Sequence, residues 1–166
     1  MSSAIFLDID GVLNWRKTPD RCDGYIGIED AKVKLLQQLV EATNADIILS
    51  STWRSEWNEE KEMRTHMGRY LHDKLARCGL HIKESTPWIG WSARAREVIE
   101  WINQNNPDRV IILDDEDFGW ERYHLDTHWV HTNYDDNGLT QTLVNSVLSD
   151  LDKFNYKGED YDSEVY

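Results

Sequence analysis

Hydrophobic positions along this chain form two alternating patterns. Short continuous apolar runs, AIFLDI at 4–9, DIILS at 46–50 and RVIILDD at 109–115, have the length and β-branched content of strands buried on both faces. Between them the apolar spacing opens to three and four residues. Val33, Leu36, Leu39 and Val40 share one face of a helix over 29–44. A second, more polar helix is predicted from about Glu59 to Cys78, with Met63, Met67, Tyr70, Leu71, Leu75 and Cys78 as its stripe and Gly79 as its stop. LHIKE at 80–84 reads as a weaker strand. Ser92 reads as the N-cap of a helix through Val98, Ile99 and Ile102 that ends before Pro107. HWVHTN at 128–133 supplies a fifth strand, and Leu143, Val144, Val147, Leu148 and Leu151 mark a last helix from about Thr140. This alternation predicts an α/β fold: a Rossmann-like three-layer sandwich around a central parallel sheet of about five strands. A single domain is expected over 1–155, followed by an acidic tail at 156–166 with little to bury.

Composition narrows the class. With 166 residues and 40% apolar content the chain can bury one full core. No apolar run approaches a membrane span, and the N-terminus lacks the basic flank and long apolar stretch of an export signal. Cys22 and Cys78 follow no metal-ligand or redox spacing, so a reduced, cytoplasmic location is the expectation. The net charge of −13 repels a polyanion at long range and argues against coating a long nucleic-acid duplex. From Trp53 to Arg96, however, nine Lys or Arg face six acids, a local balance of +3 that leaves −16 on the rest. That segment could face a phosphate.

The candidate chemistry sits where the strands end, which in an open parallel sheet is where ligands bind. The first run ends on Asp8 and Asp10, and Gly11 behind them allows a sharp turn. RVIILDD ends on Asp114 and Asp115, followed by Glu116 and Asp117. Two acidic clusters on one sheet edge need a cation between them, and hard oxygen donors without clustered His or Cys point to magnesium. The second strand ends in SSTWR: the hydroxyls of Ser50, Ser51 and Thr52 and the guanidinium of Arg54 suit the oxygens of a phosphoryl group.

Taken together, LDIDGVLN, ILSSTWR, RAREVIEWI and VIILDDE resemble the four motifs of the haloacid dehalogenase superfamily. They are most similar to the phosphatase-like domains found in Swiss Army Knife RNA repair proteins. The resemblance covers roughly residues 4–150. It implies a phosphomonoesterase in which Asp8 attacks phosphorus and Asp10 is the general acid and base. Ser50 would bind the phosphoryl group, with Ser51 or Thr52 as alternatives, and Arg94 would pair with nucleophile and phosphate, with Arg96 as its alternative. Magnesium would be held by Asp8, the Asp10 carbonyl and Asp115, with Asp114 as a second ligand or supporting partner. Gly11, Ser51, Thr52, Arg54 and Arg96 complete the candidate substrate-binding set. Neither insertion point has room for a cap domain, which leaves Trp15 to Gly27 as the expected lid and an open site for nucleotides, RNA or DNA ends, or proteins.

The same residues admit competing readings. His124, His128 and His131 fit a metal triad poorly, because the last two point to opposite faces of a strand. Trp101 reads as packing, whereas Trp53, Trp57, Trp88 and Trp91 flank the site and could stack a base. A receiver domain would need a lysine after the fifth strand, and a topoisomerase-primase domain would need a glutamate before its Asp-x-Asp. A catalytically silent module that keeps the fold and docks a partner is the alternative from another class.

Overall fold

The computed structural model describes residues 1–158; residues 159–166, most of the expected tail, lie outside the described residues. Five strands form one parallel sheet: β1 (Ser3–Leu7), β4 (Asp46–Leu49), β5 (Ile82–Ser85), β6 (Arg109–Asp114) and β7 (Trp129–His131), in the order β5-β4-β1-β6-β7. A separate two-stranded hairpin, β2 (Arg21–Cys22) and β3 (Tyr25–Ile26), lies in the expected lid segment. The helices are α1 (Asp30–Thr43), α2 (His66–Ala76), α3 (Arg94–Asn105) and α4 (Gln141–Ser149).

Alternation within each strand decides which layer a side chain joins. Ile5, Leu7, Ile111 and Leu113 pack with α1, α2 and α4 on one face, and Ala4, Phe6, Val110 and Ile112 pack with α3 and the Trp120–Leu125 segment on the other. Each fully buried Leu, Ile or Phe contributes about 1.5–3 kcal/mol, so the two faces of β1 and β6 carry much of the stability. No large cap interrupts the described residues.

Chain order reverses beside β1: β4 and β5 build outward on one side, then β6 returns to the other. The crevice of an open α/β sheet lies at this switch point. The hydrogen-bond ladder there runs one residue past each strand. The backbone N–H of Asp8 donates to Leu113, Ser50 to Leu7 and Thr86 to Leu49, each at 3.0 Å, and that of Thr132 to Asp114 at 3.1 Å. The polar residue after each strand is therefore held as firmly as the strand.

Three expectations need correction. The predicted helix from Glu59 begins only at His66, because Gly68 packs against the Glu56 carbonyl so closely that a Cβ would overlap it, and Thr65 caps α2 there. Met63 accordingly lies in a short 3₁₀ turn and is exposed rather than part of the stripe. Ser92 does not cap α3: it has φ 60°, Ala93 occupies the cap without a side-chain bond, and buried Glu97 ties the first turn down by accepting from the Ile89 N–H at 2.8 Å. Tyr156 belongs to the fold and not to a tail, since its N–H donates to Asp108 at 2.7 Å and its ring packs on His128.

Candidate active site

Asp8, one residue beyond β1, and Asp114, the last residue of β6, are both buried, and Asp115 is half-buried beside them. Oxygens of the three carboxylates all lie within 4.8 Å of one another. Arg94, the first residue of α3, reaches both strands: its Nη1 donates to Asp114 Oδ2 at 2.8 Å and lies 3.3 Å from Asp8 Oδ2, with its guanidinium over the Phe118 ring. Asp114 Oδ1 accepts from the Glu116 N–H at 3.0 Å.

One arginine cannot balance three carboxylates. Burial, then the charge of Asp114, pushes Asp8 well above the usual carboxylate range; Arg94 pulls it back and Asp115 adds to the rise. Burial likewise raises Asp114 to about 6 against the pull of Arg94, and raises Asp115 against a hydrogen bond with Asp8. An all-oxygen donor set with surplus negative charge fits a hard divalent cation. Gly11 makes room for Asp115 in this set: at φ 83° it has no Cβ, and one there would overlap the Asp115 carboxylate.

Asp10 stands apart from this cluster, exposed and held by two donors. Asn14 Nδ2 donates to its Oδ1 at 2.8 Å and Trp53 Nε1 to its Oδ2 at 3.1 Å. Asn14 is itself fully buried, donating also to the Gly27 carbonyl and accepting from the Gly11 N–H, both at 2.9 Å. Sequence reasoning missed Asn14 and gave Trp53 a different role, that of stacking a base. The spacing of Asp10 and Asn14 was in plain view, but nothing local reveals the contact to Trp53, 43 residues away.

The remaining candidates separate sharply. Ser50 Oγ is buried beside the end of β1 with no hydrogen-bond partner, an unusual state for a hydroxyl. Ser51 faces inward and caps the next turn by accepting from the Trp53 N–H, while Thr52 is exposed on the cavity wall. Arg54 lines the cavity, yet its head is engaged: Nη2 pairs with buried Glu97 at 2.7 Å, Nη1 donates to Thr86 Oγ1 at 2.6 Å, and the guanidinium stacks on Trp88. Arg96, two positions along α3 from Arg94, points to solvent and approaches Glu100, so Arg94 is the arginine at the carboxylates.

These groups line a cavity of about 870 Å³ that includes Asp8, Asp10, Arg94 and Asp115, with Tyr25 and Ile26 of the hairpin along it. The tryptophans divide. Trp53 and Trp57 are buried, so neither offers a ring face to a base, which corrects that expectation for both. Trp88 and Trp91 are exposed on the cavity rim and meet edge to face at 5.3 Å. Trp120 and Trp129 brace the acidic turn, donating through Nε1 to the Glu116 and Asp114 carbonyls at 3.0 Å each. His128 is buried with Nδ1 3.0 Å from the Val110 carbonyl, and His131 is exposed and stacked on Trp129.

Over residues 4–144 the chain matches the family model described as the HAD domain in Swiss Army Knife RNA repair proteins. No curated protein and no solved structure matches it. Among the described residues, no helix is long and apolar enough to cross a membrane.

Proposed function

Because the chain belongs to the family of HAD domains in Swiss Army Knife RNA repair proteins, a membership that supports phosphatase-type chemistry in general, we propose that it is a magnesium-dependent phosphomonoesterase working through an aspartyl-phosphate. The observation that carries this reading is the constellation at the switch point: Asp8 paired with Arg94 among Asp114 and Asp115, with Asp10 separately held two residues on.

An Asp8 oxygen attacks phosphorus while the bond to the ester oxygen breaks, and Asp10 gives that oxygen its proton. Asp10, now a carboxylate, takes a proton from water, whose oxygen displaces phosphate from Asp8 and restores the starting state. Arg94 offsets charge on the transferring group, and the unpartnered Ser50 hydroxyl donates to one of its oxygens. Asp8, Asp115 and the Asp10 carbonyl would hold magnesium, with Asp114 supporting through its bonds to Arg94 and Glu116. When bound, the ion lets the carboxylates ionise together and shares the phosphoryl charge.

For substrate we propose a phosphate on a nucleotide or at a nucleic-acid end. The open cavity and the exposed Trp88 and Trp91 on its rim support this, and the charge of −13 confines contact to a few nucleotides. The test is phosphate release, with magnesium or with chelator, from phosphorylated nucleosides, RNA and DNA ends, sugars and peptides. Magnesium-dependent release that vanishes in Asp8→Asn is expected, fastest on nucleotides or ends. Release that persists in Asp8→Asn overturns the mechanism; faster turnover of a phosphosugar or phosphopeptide overturns the substrate class.

A further inference from the structure

Away from the carboxylates, Cys22, Asp23 and His66 bring one ligand atom each to within 4.8 Å of one another. The residues come from two segments: Cys22 ends β2, Asp23 begins the hairpin turn, and His66 opens α2. The hairpin turn is rigid by construction. Asp23 at φ 51° and Gly24 at φ 82° give the paired left-handed residues that a two-residue turn requires, with Cys22 opposite Tyr25 in the ladder. On the other side, the Thr65 cap fixes the first turn of α2, and His66 Nδ1 lies 2.9 and 3.0 Å from the two Asp23 oxygens. Cys22 is buried behind the pair, whereas Asp23 and His66 are exposed, so the cluster is open to solvent on one side only.

We propose that Cys22, Asp23 and His66 bind a zinc-class divalent metal, with water completing the shell, and so staple the β2–β3 hairpin to α2. The chemistry separates this site from the carboxylate one. Thiolate and imidazole are borderline to soft donors that select zinc over magnesium, and three protein ligands plus an open position suit a tetrahedral ion. Binding displaces the Cys22 thiol proton and shifts the proton of a neutral His66 from Nδ1 to Nε2, so one proton is released as the metal–sulfur and metal–nitrogen bonds form. The ligand distances need only small adjustments, since the His66 and Asp23 donors already approach each other.

The staple acts on the cavity. Tyr25 and Ile26 on the hairpin, and Met67 next to His66, all line it. A hairpin of two residues per strand is marginal alone, and a direct polar tie from its end to α2 is the Ile28 N–H donating to Tyr70 Oη at 2.9 Å. Metal at Cys22, Asp23 and His66 replaces the exposed His66–Asp23 hydrogen bond with coordination and holds the wall in place.

The test uses the full chain and cobalt(II) as a spectroscopic probe, with excess magnesium to occupy the carboxylates. One equivalent should give a thiolate-to-cobalt charge-transfer band with tetrahedral visible bands, displaced by zinc. The band should vanish in Cys22→Ser and persist in Cys78→Ser. Because Cys22 is buried, the exposed His66→Ala and Asp23→Asn provide variants whose melts should match wild type without metal. Their affinity should fall at least about 10- to 100-fold, the loss that even supporting partners of a metal ligand cause. No charge-transfer band in the wild type, loss of the band in Cys78→Ser, or undiminished affinity in His66→Ala overturns the proposal. None of these readouts depends on phosphate release, so this site and the proposed hydrolase function fail or stand separately.

Discussion

Replacing Trp53 by Phe should slow the departure of poor leaving groups and spare good ones. The substitution keeps a buried ring and removes one donor, the Nε1–H that reaches Asp10 Oδ2 at 3.1 Å. Asn14 then holds the carboxylate by Oδ1 alone. A hydrogen bond to a charged group is worth about 1.5–3 kcal/mol, and at about 1.4 kcal/mol per tenfold in rate its loss predicts a kcat/KM lower by about 10- to 150-fold when Asp10 must deliver a proton. An alkyl phosphate needs that proton, whereas a nitrophenyl phosphate leaves as a stable anion without it. Steady-state kinetics on both substrates therefore separates roles. The expected result is a large fall in kcat/KM, which reports the leaving-group step alone, for the alkyl ester, and a small one for the nitrophenyl ester. The smaller ring also costs about 1–2 kcal/mol of stability, but a lower folded fraction reduces both rates alike. Equal losses on the two esters, or no loss on either, would refute the view that Trp53 positions a general acid.

Three further expectations rest on the geometry of the site and its rim. Asp8→Asn should abolish turnover yet raise the melting temperature of the metal-free protein at neutral pH, because Asp8 must on folding either keep a buried charge facing Asp114 and Asp115 or take up a proton, and the amide does neither. The sign follows from the raised acids: the native state holds protons that the unfolded chain has lost, so metal-free stability falls as pH climbs from the ordinary carboxylate range through about 6, with up to about 3 kcal/mol from Asp114. Magnesium should restore it by mass action. Melts in chelator and in magnesium across this range test both statements, and a metal-free wild type as stable as Asp8→Asn at pH 7 contradicts them. At the rim, Trp91→Ala should weaken a nucleotide monophosphate by about 1–3 kcal/mol in kcat/KM while leaving a small alkyl phosphate untouched; equal effects on both would remove base stacking from the proposed function.

The strands and their polar ends were legible because β1, β4 and β6 are buried on both faces, so that an apolar run followed by acids or hydroxyls has few other readings. What escaped depended on contacts between distant segments. Periodicity alone extended α2 back to Glu59, since the Gly68 contact with Glu56 that forbids it is tertiary. Arg54 reads from its position as a phosphate ligand, yet a buried Glu97 three residues past Arg94 on α3 claims it. Trp53 reads as a stacking platform because it flanks the site in sequence; its N–H faces Asp10 only once β1 and β4 pair. Cys22 carries no ligand spacing at all, and its partner His66 arrives only when α2 packs beside the hairpin.

The arrangement at β1 and β6 ties stability to chemistry through a single quantity, the uncompensated charge of buried carboxylates. Asp8 and Asp114 cannot move to relieve it, since the sheet ladder fixes the backbone N–H of one and the carbonyl of the other. The cost must be met elsewhere, and the residues that meet it are the inward-facing Ile5, Phe6, Leu7, Ile111, Ile112 and Leu113 directly below. Neutralising the acids by substitution would lower that cost, but it would also remove the surplus charge and the ionised oxygen that the proposed reaction requires. Arg94 is placed between these demands. Shared between Asp8 and Asp114, it offsets enough charge for the fold to close around the site and leaves enough for a divalent ion to bind.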